Sequence, residues 1–210
     1  LLAYANSQLS KALDINTLTI GFARRAETYK RAQLIFKDVD RLIDIGKGKI
    51  QIIFSGKAHP KDEGGKSLIK NIVKSSKYFT GHIKIIYLEN YNMWLGRLIT
   101  SGVDVWLNTP LRPNEASGTS GMKASLNGVP NLSVLDGWWS EGCIDGVNGW
   151  AVGNPNEISD ESDADHLYNL IENNVIPSYY GDKDDWSTMM KESIKTGISF
   201  TSHRMVTDYN

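Results

Sequence analysis

The densest run of reactive side chains in this sequence is Asn114-Glu-Ala-Ser-Gly-Thr-Ser-Gly-Met-Lys123, which continues through Ala124, Ser125 and Leu126 to Asn127-Gly128. It offers one carboxylate, Glu115, and then only small residues as far as Gly121. Gly118 and Gly121 let the backbone approach a ligand closely, and Ser117, Thr119 and Ser120 are favourable helix N-cap residues. The pattern predicts a loop that feeds a helix over 118–127, stopped by Asn127-Gly128. Free amides at such a helix start point at whatever binds, and the helix dipole favours an anion there. Lys123 stands four residues after Thr119, on the same helical face, which puts an amine beside the anion site. A lysine on an ordinary helix is most simply solvated. The Gly/Ser/Thr run and Glu115 set this one apart.

The elements that must position this run follow from hydrophobic periodicity. Short apolar strands are predicted at 18–22, 50–54, 83–88, 103–107, 131–135 and 150–152. Helices are predicted at 2–13, 23–37, 39–45, 62–78, 93–101, 118–127, 160–174 and 186–200, with a tryptophan-rich loop at 136–142. Strands alternating with helices predict an α/β fold: a doubly wound parallel sheet, Rossmann-like, with helices on both faces. Residues 1–155 read as that domain and 156–210 as a helical C-terminal tail, which packs on it or toward a further domain. The acidic run Asp160-Glu-Ser-Asp-Ala-Asp165 is most simply a solvated helix start.

Polar or glycine-rich residues follow every predicted strand up to the fifth: Arg24, Arg25 and Lys30, then Gly56-Lys57, Glu89-Asn-Tyr91, the Glu115–Lys123 loop, and Asp136-Gly137. In an open parallel sheet these exits share one edge, where ligands bind. Arg24, Arg25, Lys30 and Arg31 concentrate positive charge in a chain of net charge −1, and arginine forks with a lysine point charge suit phosphate. A solvated basic helix start is the plainer reading, but cations sit poorly at that end of a helix.

Near-neutral charge argues against nucleic acid or an anionic membrane as partner. No apolar run approaches the roughly 20 residues of a membrane span. The single cysteine, Cys143, fits a reducing, cytoplasmic setting. The four histidines lack metal-ligand spacing, so no metal is expected. Gly65-Lys66-Ser67 fails as a phosphate loop because Pro60 occupies the position of its first glycine. The start, Leu1-Leu-Ala-Tyr4, reads as a cut into a longer protein.

The blocks Gly21-Phe-Ala-Arg-Arg-Ala-Glu-Thr-Tyr-Lys-Arg31, Gly56-Lys-Ala-His-Pro60, Leu88-Glu-Asn-Tyr91, Glu115-Ala-Ser-Gly-Thr-Ser-Gly-Met-Lys123 and Leu135-Asp-Gly137 resemble the α-glucan (glycogen, starch and maltodextrin) phosphorylases in order and spacing. Ser120-Gly121 before the Met-Lys pair resembles the shorter bacterial and archaeal branch. The resemblance implies the second domain of a GT-B glycosyltransferase, with pyridoxal 5'-phosphate held as a Schiff base on Lys123. It further implies that Arg25 and Lys30 hold substrate phosphate, and that Arg24 and Thr119 hold cofactor phosphate. Tyr91 would line the cofactor ring, and Glu115 with the Ser117 and Gly118 amides would meet sugar hydroxyls. The implied reaction is phosphorolysis of a terminal α-1,4 bond of an α-glucan by inorganic phosphate, yielding glucose 1-phosphate. An amino-terminal domain would supply the other wall of the cleft. Two alternatives stay open at this stage: a nucleotide-sugar glucosyltransferase of glycogen-synthase type, and a non-catalytic glucan-binding module. Oligomeric state is open too, a homo-oligomer included. With the partner wall missing, Trp138, Trp139 and the helical tail are expected to be partly exposed.

Overall fold

The computed structural model describes residues 1–8, 13–154 and 156–210. In chain order, helix α1 (Leu2–Gln8), strand β1 (Leu18–Ala23), helix α2 (Val39–Gly46), strand β2 (Ile50–Ser55), helix α3 (Glu63–Ser75) and strand β3 (Lys84–Leu88) make the first half. Helix α4 (Met93–Gly102), strand β4 (Val105–Asn108), helix α5 (Thr119–Leu126), strand β5 (Asn131–Val134), helix α6 (Trp139–Gly142) and strand β6 (Gly149–Val152) follow. Helices α7 (Asp160–Leu170), α8 (Ile176–Tyr180), α9 (Lys183–Ile198) and α10 (Ser202–Tyr209) close the chain. The described part of the predicted first helix, 2–8, is helical, and residue 13 is not. Its continuation over 9–12 lies outside the described residues.

All six strands pair in parallel, in the order β3-β2-β1-β4-β5-β6. Every residue of β1 and β2 is buried, which explains their near-continuous apolar runs. Successive side chains still alternate between two cores. Ile52, Ile85, Val105 and Leu107 join the core under α2, α7 and α8, while Ile53, Ile86 and Trp106 join the core under α1, α4 and α5. The strand order reverses between β1 and β4, so the carboxyl ends of these two neighbours flank the crevice where a doubly wound sheet takes its ligand.

Residues 23–37 are not the predicted helix. Two single 3-10 turns, Thr28–Lys30 and Leu34–Phe36, sit in otherwise irregular chain. Arg31 lies at φ 45, a left-handed conformation that no α-helix accommodates. The backbone there bonds outward instead: Ala26 N to Lys57 O at 3.0 Å and Leu111 N to Tyr29 O at 2.6 Å. Arg24 and Arg25 therefore do not stand at the start of an α-helix. The acidic run at α7 is not merely solvated either, since Asp163 is 1% exposed and paired with Arg31.

The tryptophans also differ from expectation. Trp138 and Trp139 are 3% and 0% exposed. They pack on each other with centroids 5.0 Å apart, and Phe200, just after α9, caps Trp138 edge-on at 5.1 Å. The 136–142 loop contains α6, the 160–174 helix passes through a π turn (Ile171–Val175) into α8, and α10 was not expected from sequence. Helix α9 packs on α5 through small residues: Ser193 Oγ donates to Ser125 Oγ at 3.1 Å inside the interface, and a side chain at Gly197 would fit tightly, 3.0 Å from Leu126 N. Among the described residues no helix is long and apolar enough to cross a membrane.

Candidate active site

Strand β1 ends at Ala23, so Arg24 leaves the sheet at the crevice. Its guanidinium is buried and reaches two neighbouring exits, donating to Asn108 Oδ1 at the end of β4 and pairing with the Glu115 carboxylate. Asn108 in turn donates to Ser133 Oγ of β5 at 3.1 Å. Asp136 fastens the loop from the β5 side, accepting from Glu115 N and from Gly137 N, both at 2.9 Å. Trp138 N donates to Ser117 O at 2.9 Å. A side chain at Gly137, which sits at φ 54, would lie 2.7 Å from Ser117 O and 2.9 Å from Glu115 O. The close approach of these two loops therefore needs glycine there.

Lys30 is the outlier in this arrangement. It is 6% exposed, yet its ammonium makes no ion pair or hydrogen bond with any described residue and has only the Tyr29 ring, at 5.3 Å. Burial, then the Arg24 charge, lower its pKa from the ordinary 10.5 to about 8. Glu115 and Glu27 offset these effects only in part, so a buried amine beside a cation stays short of negative charge until an anion arrives. Arg24, Arg25 and Lys30 line one small cavity with Glu27, Ser55 and Tyr87. Arg25 itself is not buried: its side chain is 76% exposed and meets Glu27 at 3.3 Å. Arg31, counted with this cationic group from sequence, points away from it, to α7.

On the other side of the crevice, α5 starts from Gly118 at φ 82, and no side chain caps it. Gly118 and not one of the neighbouring hydroxyl residues takes the capping position, which leaves the first amides of the helix available to an anion. Thr119 and Lys123 are both exposed, as residues four apart on one face should be. Among the described residues nothing bonds the Lys123 ammonium. The Ser120 hydroxyl is buried without a partner. Ser117 is exposed, and Gly118 lies against Trp138. Tyr91 is half-buried, and its burial raises its pKa while the Arg24 charge lowers it. Among the described residues no cluster of His, Cys, Asp or Glu is arranged to hold a metal ion.

This set suits two anions and an amine-reactive group. The donors fit pyridoxal phosphate: a free primary amine on α5, an uncapped helix start with a spare hydroxyl, and the Arg24 cation. Sequence reasoning missed Asn108 and Tyr29. Asn108 was detectable as a polar residue at the end of a buried strand, and Tyr29 lay unassigned inside the Gly21–Arg31 block.

A family model described as carbohydrate phosphorylase matches residues 1–141. The chain is 52% identical to maltodextrin phosphorylase of Thermococcus litoralis, over 94% of this chain and 25% of that protein. It is 49% identical to glycogen phosphorylase of Aquifex aeolicus, over 94% of this chain and 30% of that protein. Glycogen phosphorylase of Mycobacterium tuberculosis is 43% identical, over 96% and 25%. The chain thus spans between a quarter and a third of the length of these relatives. Identity that covers nearly the whole chain, on a site of this make-up, leaves one assignment: the chain belongs to the carbohydrate phosphorylase family.

Proposed function

We propose that this chain forms the cofactor- and phosphate-binding wall of the active site of an α-1,4-glucan phosphorylase. Residues 1–155 would be the catalytic domain and 156–210 its helical tail, with an amino-terminal domain as the facing wall. The observation that carries the reading is Lys30, buried beside Arg24 and bonded to no acid among the described residues. Such a pair holds an anion or destabilises the fold. The relatives' names, maltodextrin and glycogen phosphorylase, supply the substrate class.

In the proposed reaction an oxygen of inorganic phosphate bonds to the anomeric carbon of the terminal glucose. The bond from that carbon to the glucan O4 breaks, O4 takes a proton, and glucose 1-phosphate leaves with configuration retained. Lys30 and Arg25 hold the attacking phosphate: Lys30 as a fixed, desolvated charge and Arg25 as a mobile fork at the rim. Arg24, Thr119 and the first amides of α5 hold the cofactor phosphate, with Tyr91 along the ring. Pyridoxal phosphate, attached at Lys123, would supply a phosphate group that exchanges the proton with the substrate phosphate. Glu115, Ser117 and the Gly118 amide take sugar hydroxyls. The Glu115 carboxylate keeps Arg24 compensated before any anion binds. A cytoplasmic location goes with this reading, and Cys143 is a free thiol.

Borohydride reduction of the full-length protein followed by peptide mapping should place a pyridoxyl group on Lys123. An adduct on Lys30 or Lys57 instead would refute the assignment. In the same protein Arg25→Ala should raise the phosphate KM far more than the glucan KM, because losing one charge-assisted partner of a desolvated anion costs about 1.5–3 kcal/mol. Equal effects on both substrates would count against the role of Arg25.

A further inference from the structure

The acidic start of α7 grips the segment that carries Lys30. Arg31 pairs with Asp160 at 2.8 Å and Asp163 at 2.6 Å, Lys37 with Glu161 at 2.6 Å, and Arg41 with Asp165. The Lys37 and Arg41 pairs have exposed partners and contribute little. The Arg31–Asp163 pair differs, being 7% and 1% exposed. Arg31 also donates from Nε to Thr109 O and from Nη2 to Pro110 O, each at 3.0 Å. Thr109 Oγ1 lies 3.1 Å from both Lys30 O and Arg31 O, the acceptors of its hydroxyl. One guanidinium therefore ties α7, the exit of β4 and the Lys30–Arg31 peptide into a single unit. The fit of Asp163 is specific: a side chain at Gly153, at φ +86, would lie 2.2 Å from Asp163 Oδ1. That oxygen has no hydrogen-bond partner among the described residues, so the carboxylate is held in place by Arg31 alone.

We propose that Asp163, acting through Arg31, is a positioning residue that fixes the Lys30 ammonium where substrate phosphate must bind. This rests on the reading of Lys30 as a phosphate-binding residue. Without the Asp163 charge, Arg31 keeps one acid, the half-exposed Asp160, and is drawn outward toward it. Its bonds to the Thr109 and Pro110 carbonyls then loosen, and with them the anchor of the Lys30 peptide. A buried ammonium displaced by even about 1 Å loses on the order of tenfold to a hundredfold in a site that depends on position.

The test uses the full-length protein as wild type, Asp163→Asn and Asp160→Asn. Inorganic phosphate should protect Lys30 from acylation by an amine-reactive ester, read by peptide mass spectrometry with the exposed Lys57 as internal reference. In Asp163→Asn the half-protecting phosphate concentration and the phosphate KM should both rise about tenfold or more, while the glucan KM stays within about twofold. Asp160→Asn should move the same way by less. Protection in the wild type with no rise in a folded Asp163→Asn, or an equal rise in both KM values, overturns the positioning role alone. If Asp163→Asn does not fold, an unchanged phosphate dependence in Asp160→Asn overturns it. No protection in the wild type overturns the phosphate role of Lys30 and this proposal with it.

Discussion

Replacing Lys30 by methionine should make the chain more stable and insensitive to phosphate. The lysine stem packs at 6% exposure, and methionine has a comparable length and no charge. The drop in pKa from 10.5 to about 8 means that the fold disfavours the charged form. At 1.36 kcal/mol per unit the cost is roughly 3 kcal/mol. Loss of the Tyr29 contact and imperfect repacking return part of this, leaving a net gain of about 1–2 kcal/mol. For a chain of this length that is a rise in Tm of about 2–8 °C. The pH dependence has a definite sign. Below about 8 the lysine is charged whether folded or not, and the full cost is present. Between about 8 and 10.5 the folded chain loses the proton first, so the wild type gains stability as pH rises and the advantage of methionine shrinks. Phosphate should act in the opposite sense, raising the wild-type Tm by mass action and leaving the variant unmoved. Melting curves at pH 7, 9 and 10.5, with and without phosphate, read all of this. A methionine variant that melts lower at pH 7, or that gains as much from phosphate as the wild type, would refute the reasoning.

Arg24→Ala leaves the buried Glu115 carboxylate without its partner and should cost about 3–5 kcal/mol in chemical denaturation, much of it recovered by adding Glu115→Gln. Gly137→Ala should lower Tm and raise the glucan KM, since at φ 54 its methyl group would stand 2.7 Å from the Ser117 carbonyl oxygen and 2.9 Å from that of Glu115 and force the two loops apart; an unchanged KM would argue against that loop as the sugar contact. The 210-residue chain alone should fold cooperatively on its two cores yet release no glucose 1-phosphate from maltodextrin. Turnover comparable to the full-length protein would show that no second wall is needed.

Much of this fold was legible because a buried parallel sheet writes itself as short apolar runs separated by polar exits. Each of the six strands falls on a short, largely apolar run, and the Glu115–Lys123 loop was visible from glycine and hydroxyl spacing alone. The segment 23–37 was misread because its composition, rich in alanine, arginine and lysine, carries real helix propensity. Tertiary bonds from Arg31 and Tyr29 to the β4 exit overrode that propensity. No local pattern could pair Arg31 with an acid 132 residues away, so the start of α7 read as solvated. The burial of Trp138 was hidden for the same reason, since Phe200 covers it from the far end of the chain.

The seating of α5 on α9 has a consequence for how the protein is made. Ser125 and Ser193 stand 68 residues apart. At about 5–20 residues per second, roughly 3–14 s of synthesis separate the helix that carries Lys123 from the helix that covers its inner face. Through that interval a nascent chain already holds Arg24, Lys30, Glu115 and Lys123, but α5 has no α9 to rest on. A chain ended at residue 182 should therefore be cut by protease within 119–128, and resistance there would contradict this account. Translation order makes the lysine helix the last part of the site to be seated, so a prematurely ended polypeptide carries the reactive amine without the platform that holds it.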